Sequence, residues 1–261
     1  MKQPLFSIAT PCFNSAKTIE RTIKSVLAQE FKDYEYIIVD GGSTDGTLEI
    51  IKQYEPLFEG RMHWKSEPDK GLYDAFNKGI ERSTGVYCWN VNSDDFIEPD
   101  ALKNLKAIIE QQDQNNLPVI SGSMHFLDDN GVKVLEVRSS NSDKCKKSFE
   151  QNSMGVVHPA TVVPRSIYIK HGAFDSAFKI IGDIDWFHRT YGVGVPFVFT
   201  DIVITNMCDG GVSNQFNYKK SAKDRWLFLR HKYSNLLIRI YYFARWSKFF
   251  YSYKRKHNKL K

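Results

Sequence analysis

Cysteine is scarce in this 261-residue chain, which has four: Cys12, Cys88, Cys145 and Cys208. They lie far apart and form no CxxC pair, so the sequence indicates neither a zinc site nor a disulfide framework. The chain also lacks the run of about 18 uncharged apolar residues that a membrane-spanning helix needs. Its first residues lead into a short apolar strand without the layout of a signal peptide. We therefore expect a protein of a reducing, cytoplasmic compartment.

Acidic residues are absent after Asp224, whereas eleven Lys and Arg residues follow it. The rest of the chain has 25 basic and 30 acidic residues, a net charge of −5, although the whole chain carries +6. A protein that binds nucleic acid over its folded surface would spread its cations over that surface. We therefore expect no nucleic acid partner, and we infer an acidic body with a basic tail.

The tail, residues 218–261, interleaves aromatic and aliphatic residues with basic ones. Because it has no full apolar span, this pattern is typical of a helix that lies in an anionic membrane surface. The alternative is a helical appendage whose aromatic stripe packs on the body of the protein or on a second subunit. We predict membrane association, which makes the protein peripheral on the inner face of the cytoplasmic membrane. The oligomeric state stays open.

Short apolar strands alternate with helical patterns in the first 116 residues. With 42% hydrophobic and 14% aromatic residues, the chain can bury one sizeable core. The patterns predict strands at 5–10, 36–39, 62–64 and 86–91, and helices at 16–29, 47–54, 72–81 and 100–111. This alternation predicts an α/β fold with a mostly parallel sheet, helices on both faces, and ligands at the carboxyl ends of the strands.

The pattern changes after residue 117. Two strands, 119–126 and 132–137, flank the turn signal Asp128-Asp129-Asn130-Gly131, which predicts a hairpin. Helices from Pro164 to Gly172 and over 183–191 follow, and then a strand at 196–204. The second half is therefore expected to be mixed α/β.

Polar clusters follow three of the predicted strands, at residues 10–14, 40–46 and 92–95. The carboxyl ends of parallel strands meet at one edge of a sheet, so the clusters can share one crevice. Glycines there let the backbone approach a ligand closely, and carboxylates can bind ribose, base donors or a hard cation. Any one cluster alone is better explained as a helix cap or a turn. Three clusters at successive strand ends favour a ligand site.

At these motifs the chain resembles the family 2 glycosyltransferases, an inverting group with the GT-A fold, and especially its members in bacterial polysaccharide assembly. The matching segments are 7–14, 38–47, 67–79, 92–95 and 182–186. The resemblance implies a Rossmann-like GT-A catalytic domain over residues 1–217. Its nucleotide-binding half would be 1–116 and its acceptor-binding half 117–217, followed by the tail 218–261.

The resemblance also implies roles on the donor side. Asp40 would hydrogen-bond the nucleotide base, and Thr10 and Pro11 would line the same pocket through their backbone. Asn14 would belong to this nucleotide pocket, and Lys70 could reach the nucleotide from the next segment.

The turn at 92–95 is implied to hold the ribose and a cation. Asp94 or Asn92 would meet the ribose, and Asp95, with Asp94 as the alternative, would coordinate Mn²⁺ or Mg²⁺ at the diphosphate. These cations prefer hard oxygen ligands, and Mg²⁺ often binds one or two carboxylates together with phosphates. The chain has Asp-Asp where many relatives have Asp-x-Asp. The division of roles between the two aspartates therefore stays open.

An inverting transfer needs a base that takes the proton of the acceptor hydroxyl. The resemblance implies Asp183, although the acidic residue that commonly precedes the base is Gly182 here. Asp185 is the alternative, but it stands four residues before Arg189 on a predicted helix and could form an ion pair with it. Trp186 could present its face to the acceptor sugar or lie in the core.

Two further segments belong to these expectations. His158 precedes the candidate base, and the resemblance implies a contact with the acceptor or the diphosphate; a structural histidine is the alternative. The Gly-Gly-Val-Ser segment at 210–213 could form a loop that closes over the bound donor.

Together these expectations define a function. The chain would move a hexose or N-acetylhexosamine from a nucleotide sugar, by preference UDP-linked, to a lipid-diphosphate-linked saccharide in surface polysaccharide assembly. One alternative is a sugar-phosphate nucleotidyltransferase, which the missing Gly-rich phosphate loop disfavours. The other is a non-catalytic membrane- or nucleic-acid-binding protein, which would leave the aspartates at the strand ends unexplained.

Overall fold

The computed structural model describes residues 3–128, 131–139, 142–153, 155–208 and 218–257. In these ranges nine strands form one sheet in the order β3-β2-β1-β4-β8-β6-β9-β5, with β7 paired to β6. The strands are β1 (Phe6–Cys12), β2 (Tyr34–Asp40), β3 (Met62–Ser66), β4 (Tyr87–Asn90), β5 (Phe96–Ile97), β6 (Val119–Leu127), β7 (Lys133–Val137), β8 (Thr161–Pro164) and β9 (Phe197–Cys208).

Helices cover both faces of this sheet. They are α1 (Ile19–Leu27), α2 (Thr47–Tyr54), α3 (Leu72–Arg82), α4 (Ala101–Ile109), α5 (Ser142–Glu150), α6 (Arg165–His171), α7 (Gly182–Gly192), α8 (Tyr218–Lys232) and α9 (Leu236–His257). None of the helices in the described ranges is both long and apolar enough to span a bilayer.

The first four strands run parallel, as the alternation predicts. β1 pairs with β2 and β4, and β2 pairs with β3. The register sets Cys12 opposite Asp40, so β1 and β2 end side by side. The polar segments that follow these strands therefore start at the same edge of the sheet.

Residues 36–39 of β2 form a continuous apolar run, which suits a strand that helices cover on both sides. Ile38 joins the core cluster that also contains α1, α2 and α4 residues, whereas Ile37 and Val39 contact Ala75 of α3. A Cβ on Gly79 would lie only 2.9 Å from the Cβ of Ala9, so the absence of a side chain at Gly79 lets α3 approach β1.

The second half adds mixed pairing. β6 and β7 form the predicted antiparallel hairpin, whose turn includes Gly131 at φ +76°. Asp129 and Asn130 of that turn lie outside the described residues. β8 is antiparallel to β4 and β6, and β9 is parallel to β6. Three elements were not predicted from the sequence: β5 in the first half, and α5 and β8 in the second.

The tail begins with a helix that shares the core of the second half. α8 buries Phe228 and Leu229 in the same cluster as Trp186 of α7. α9 packs back on α8, and the rings of Tyr233 and Tyr242 stack with centroids 5.2 Å apart. Of the two alternatives for the tail, packing on the body therefore applies to α8.

Candidate active site

The segments after β1 and β2 are hydrogen-bonded to each other. The backbone N–H of Asn14 donates to Ser43 Oγ at 2.7 Å, and Asn14 Oδ1 accepts from the N–H of Thr44 at 3.0 Å. Asn14 has φ +50°, a left-handed conformation that Asn tolerates better than most residues. Asn14 thus joins two of the three predicted clusters.

The turn after β4 joins the same edge. Ser93 Oγ lies 2.9 Å from Ser15 Oγ, and Arg21 of α1 donates to the carbonyl oxygen of Asp94 at 2.8 Å. The three polar clusters therefore converge in one crevice, as the parallel sheet predicts.

Asp40, which was predicted to meet the nucleotide base, is fully enclosed beneath this crevice. Its Oδ2 accepts from the N–H groups of Gly42 and Ser43 and from Ser66 Oγ, and its Oδ1 accepts from Ser43 Oγ and Cys12 Sγ. Burial alone would raise the pKa of Asp40, but the donors from Ser43, Ser66 and Gly42 hold it below the usual value. Asp40 therefore shapes the loop as a carboxylate whose oxygens are already used.

Asp69 and Phe13 occupy the open position beside that loop. A Cβ on Gly41 would lie 2.6 Å from Asp69 Oδ2 and 3.3 Å from the Phe13 ring. Asp69 Oδ1 accepts from the N–H of Gly71, whereas no residue in the described ranges hydrogen-bonds Oδ2. The Phe13 ring is 61% exposed. A free carboxylate oxygen and an exposed ring can pair with and stack on a nucleotide base.

Sequence reasoning missed both residues, although each carried a signal. Phe13 stands inside the first polar cluster, where an aromatic side chain is unusual for a turn. Asp69 precedes Lys70 in the Pro-Asp-Lys-Gly segment, in which only the lysine was assigned to the nucleotide.

The other predicted residues of the nucleotide pocket differ in their access to it. Thr10 is buried, and its Oγ1 accepts from Tyr36 OH at 3.1 Å, so only its backbone can line the pocket. Pro11 is buried in β1 as well. Lys70 is exposed, and its backbone N–H donates to Asp74 Oδ2 at 3.0 Å. This bond orders the segment that carries the lysine.

Asp95 lies under the turn at 92–95 and is only 1% exposed. Its Oδ1 accepts from the N–H of Cys208 at 3.1 Å and its Oδ2 from Asn92 Nδ2 at 3.0 Å. Burial, and then the charge of Asp94, raise the pKa of Asp95 to about 7. Both oxygens of Asp95 are hydrogen-bonded inside the protein, and its assignment as the metal ligand stays a prediction. Asp95 ties the turn to the end of β9.

Asp94 and Asn92 present the oxygens that a cation could use. Asp94 is half-buried, burial raises its pKa, and no other residue in the described part of the chain hydrogen-bonds its carboxylate. Asn92 Oδ1 is a buried acceptor that has no partner in the described ranges. Hard oxygen donors of this kind fit Mn²⁺ or Mg²⁺. Within the described ranges no group of three or more His, Cys, Asp or Glu residues could hold a metal, so phosphate oxygens would have to complete the site.

Asp183 lies in the first turn of α7, and two other elements hold its carboxylate. Tyr73 OH of α3 is 3.1 Å from Oδ1, and His158 Nδ1 is 3.4 Å from Oδ2. Burial, and then the charge of Asp183, raise the pKa of Tyr73 well above its usual value, so Tyr73 remains a neutral donor. The Asp183 side chain is 17% exposed, which leaves it accessible to a ligand.

His158, expected at the acceptor or diphosphate, has the candidate base as its polar neighbour. Its ring packs edge-on against three phenylalanine rings, those of Phe76, Phe174 and Phe187. Trp89 of β4 donates from Nε1 to the carbonyl oxygen of Pro159 at 3.0 Å, which fixes the His158 segment to the sheet. The same strand leads to the turn at 92–95, so β4 positions both sides of the site.

Asp185 and Trp186, which were assigned to the acceptor with structural roles as the alternatives, are both buried. Asp185 is 1% exposed, and its carboxylate lies 2.9 Å from both Arg189 Nε and His231 Nδ1. Trp186 is fully buried and donates from Nε1 to the carbonyl oxygen of Gly172 at 2.8 Å. The ion pair and the core aromatic, the two structural alternatives, are what the structure contains. The segment 210–213 lies outside the described residues.

Comparison with known proteins places this site in a family. The sequence profile described as Glycosyl transferase family 2 matches residues 7–172. A PGL/p-HBAD biosynthesis glycosyltransferase of Mycobacterium bovis is 27% identical over 229 residues, which cover 85% of this chain and 84% of that protein. An uncharacterized glycosyltransferase of Mycobacterium tuberculosis is 32% identical over 195 residues, which cover 74% of this chain and 71% of the relative.

Solved structures share the fold. The Staphylococcus aureus TarS 1–349 structure in complex with UDP-GlcNAc has a TM-score of 0.69 and 19% identity, and the match covers 86% of this chain and 65% of that one. The mannosyltransferase PcManGT from Pyrobaculum calidifontis, in complex with GDP-Man and Mn²⁺, has a TM-score of 0.64 and 15% identity, with 89% and 65% covered. The chain thus spans less than two thirds of these solved chains. With the fold, the crevice and these matches together, the chain belongs to glycosyltransferase family 2 and has the GT-A fold.

Proposed function

We propose that the protein is an inverting, cation-dependent glycosyltransferase that moves a hexose or N-acetylhexosamine from a UDP-sugar to a lipid-diphosphate-linked saccharide in surface polysaccharide assembly. The observation that carries the proposal is the turn at 92–95. There Asp95 is enclosed, while the Asp94 carboxylate and Asn92 Oδ1 have no partner among the other described residues. Two unpaired oxygens at the edge of a parallel sheet suit a cation and a diphosphate.

The donor base is proposed to bind over Gly41. Asp69 Oδ2 accepts an N–H of the base, Phe13 stacks on it, and the backbone of Thr10 and Pro11 forms the wall. The UDP-GlcNAc named with TarS supports a uridine donor, and the GDP-Man named with PcManGT is the competing type. Uracil and guanine each carry a ring N–H group that can donate a hydrogen bond to a carboxylate.

The diphosphate is proposed to lie at Asp94, with Asn92 at the ribose or cation and Lys70 near the phosphates. The Mn²⁺ named with PcManGT supports a divalent ion. When bound, the ion supplies charge neutralisation for the departing nucleoside diphosphate. The buried Asp95 keeps Asp94 and Asn92 in place by joining the turn to β9.

Asp183 is proposed as the base. It takes the proton of the acceptor hydroxyl as that oxygen bonds to the anomeric carbon, and the bond from that carbon to the diphosphate breaks with its electron pair on the diphosphate. Attack opposite the leaving group inverts the anomeric centre. Tyr73 and His158 orient the carboxylate of Asp183 for this transfer.

The acceptor is proposed to be reached at the membrane through α9. This helix exposes apolar side chains, Leu236, Leu237, Ile238, Ile240, Tyr241 and Phe249. No acidic residue interrupts the basic residues around them. Exposed apolar residues among cations fit an anionic lipid surface.

Nucleotide release from UDP-, GDP- and dTDP-sugars, measured with Mn²⁺ and with a chelator, tests the function. We expect turnover of a UDP-sugar with Mn²⁺ and its loss on chelation. Asp94→Asn should lower kcat by about 100-fold, because it removes a group that acts on the charge of the leaving diphosphate. Asp100→Asn is the matched control, since Asp100 is exposed and makes no side-chain cap hydrogen bond. Full activity of the Asp94 variant with unchanged metal dependence would remove the proposed cation site.

Flotation with vesicles of phosphatidylglycerol and phosphatidylcholine tests the membrane step. Leu237→Glu and Ile240→Glu should each weaken binding to the anionic vesicles, because both side chains are exposed on α9. Val193→Glu is the control, since Val193 is 63% exposed at the C-terminal end of α7 and is not part of α9. Equal binding by all three variants would contradict docking through α9.

A further inference from the structure

Helix α8, which lies beyond the segment matched by the family, reaches the acceptor side of the site through one carboxylate. Asp224 is 3% exposed, and its Oδ2 accepts from three consecutive backbone N–H groups: Lys179 at 2.8 Å, Ile180 at 2.6 Å and Ile181 at 3.2 Å. Successive N–H groups that point to one place form a concave anion-binding nest. Here a carboxylate from another helix fills that nest and fixes the chain directly before α7.

Tyr73 holds the same segment from its other side. Its OH lies 2.7 Å from the carbonyl oxygen of Ile180 and 3.1 Å from Asp183 Oδ1. A Cβ on Gly182 would come within 2.8 Å of the Tyr73 ring, so the ring can pack there because residue 182 has no side chain. The position of Asp183 thus depends on a backbone held between Asp224 and Tyr73.

Helix α8 is a rigid support for this contact. Phe228 and Leu229 are buried in the aromatic core of the second half. Arg225 donates from Nη1 to the carbonyl oxygen of Asn152 at 2.9 Å. These contacts hold α8 independently of Asp224, so the carboxylate can be altered while the helix stays in place.

We propose that Asp224 is a positioning residue for Asp183, acting through the backbone of residues 179–181. The inference rests on the proposed role of Asp183 as the base. Without the negative charge of the carboxylate, the three N–H groups lose their charge-assisted acceptor, and the first turn of α7 shifts relative to Tyr73 and His158. A misplacement of about 1 Å at a reacting group can cost about 100-fold in rate.

Asp224→Asn in the full-length chain tests this role. We expect kcat to fall about 10- to 100-fold, with the KM for the UDP-sugar and the calorimetric affinity for UDP changed by less than about twofold. Asp224→Glu keeps the charge one methylene further out and should recover part of kcat. If Asp224→Asn does not fold, Asp224→Glu tests the positioning role in its place. A purely structural aspartate would not lower kcat while leaving the KM for the UDP-sugar unchanged.

Leu229→Ala is the matched control, since it weakens the same helix without touching the nest. It should lower Tm at least as much as Asp224→Asn and leave kcat near the wild-type value below its Tm. Wild-type kcat in Asp224→Asn, or an equal kcat loss in Leu229→Ala, would overturn the positioning role. If Asp183→Asn keeps its turnover, the proposed function fails instead. An inactive Asp183 variant beside a fully active Asp224 variant removes only the present inference.

Discussion

The donor side and the acceptor side of the crevice hold their carboxylates in different ways. Asp40 is bound mainly by groups two and three residues away, the N–H groups of Gly42 and Ser43. Asp183 is held by Tyr73, which is 110 residues away, and by His158 from another segment. Asp40 is therefore held mainly within its own loop, whereas the proposed base, Asp183, reaches its position only when distant elements have packed. Changes on the acceptor side should spare nucleotide binding.

The largest expected effect comes from changing the proposed catalytic base, Asp183, on the acceptor side. Asp183→Asn should lower kcat by about 10²- to 10⁴-fold, the range for loss of a general base. UDP affinity should stay unchanged, because the donor loops make their own hydrogen bonds. Initial rates and titration calorimetry measure the two quantities on one preparation. Asp201→Asn, an exposed aspartate of β9, is the control. Loss of UDP affinity in the Asp183 variant would show that the two sides are coupled.

A smaller effect is expected from a change confined to the donor side. Gly41→Ala places a methyl group 2.6 Å from Asp69 Oδ2. The carboxylate oxygen must therefore move away from the place proposed for the nucleotide base. Because the displaced atom ends a side chain, folding should be little affected. The Kd for the UDP-sugar should rise about tenfold, or about 1.4 kcal/mol, with kcat at saturation unchanged.

Gly192→Ala serves as its control, because a Cβ there meets nothing within 4 Å. Binding by calorimetry and kcat from saturation curves distinguish the outcomes. A fall in kcat without a change in Kd would mean that Asp69 contributes to the transfer reaction and does not bind the nucleotide base.

The same contrast explains what could be predicted from the sequence. The alternating strands and helices of the first half, and the polar clusters at their ends, follow from local pattern, and the structure brings those clusters together. The burial of Asp40 and Asp95 was not predicted, because a motif shows which residues stand at a strand end but not which of them are enclosed.

On the acceptor side the informative contacts are long-range. The pair Asp185–Arg189 could be anticipated from helical spacing, and it is present at 2.9 Å. The second partner of Asp185, His231, comes from α8, 46 residues further along the chain. No spacing rule connects such residues, just as none connects Asp224 with residues 179–181. The unpredicted strand β8 has the same origin, since it is defined by pairing with β4 and β6.

The smallest expected effect is an acid sensitivity confined to the acceptor side. His188 of α7 lies 3.1 Å from the carbonyl oxygen of Ser153 through Nε2 and 3.1 Å from Lys232 Nζ of α8 through Nδ1. Burial, and then the charge of Lys232, lower the pKa of His188 to about 3. An unfolded histidine has a pKa of about 6.5. Below that pH, residue 188 is therefore protonated in the unfolded chain but stays neutral in the folded chain until the pH approaches 3. Stability from His188 is therefore present above pH 6.5 and lost as the pH falls towards 3.

Between pH 7 and 5.5 this single group should cost about 1 kcal/mol of unfolding free energy. Urea unfolding at both pH values measures the loss of unfolding free energy. His188→Gln can still donate to the carbonyl oxygen of Ser153, and it should reduce this pH-dependent loss by about 1 kcal/mol. His63→Gln, an exposed histidine of β3, should leave it unchanged. UDP affinity measured at pH 5.5 should match between wild type and the His188 variant, because the donor loops do not depend on α7 and α8. If the pH-dependent loss persists undiminished in His188→Gln, acid acts elsewhere, and the acceptor side is not the more acid-sensitive of the two.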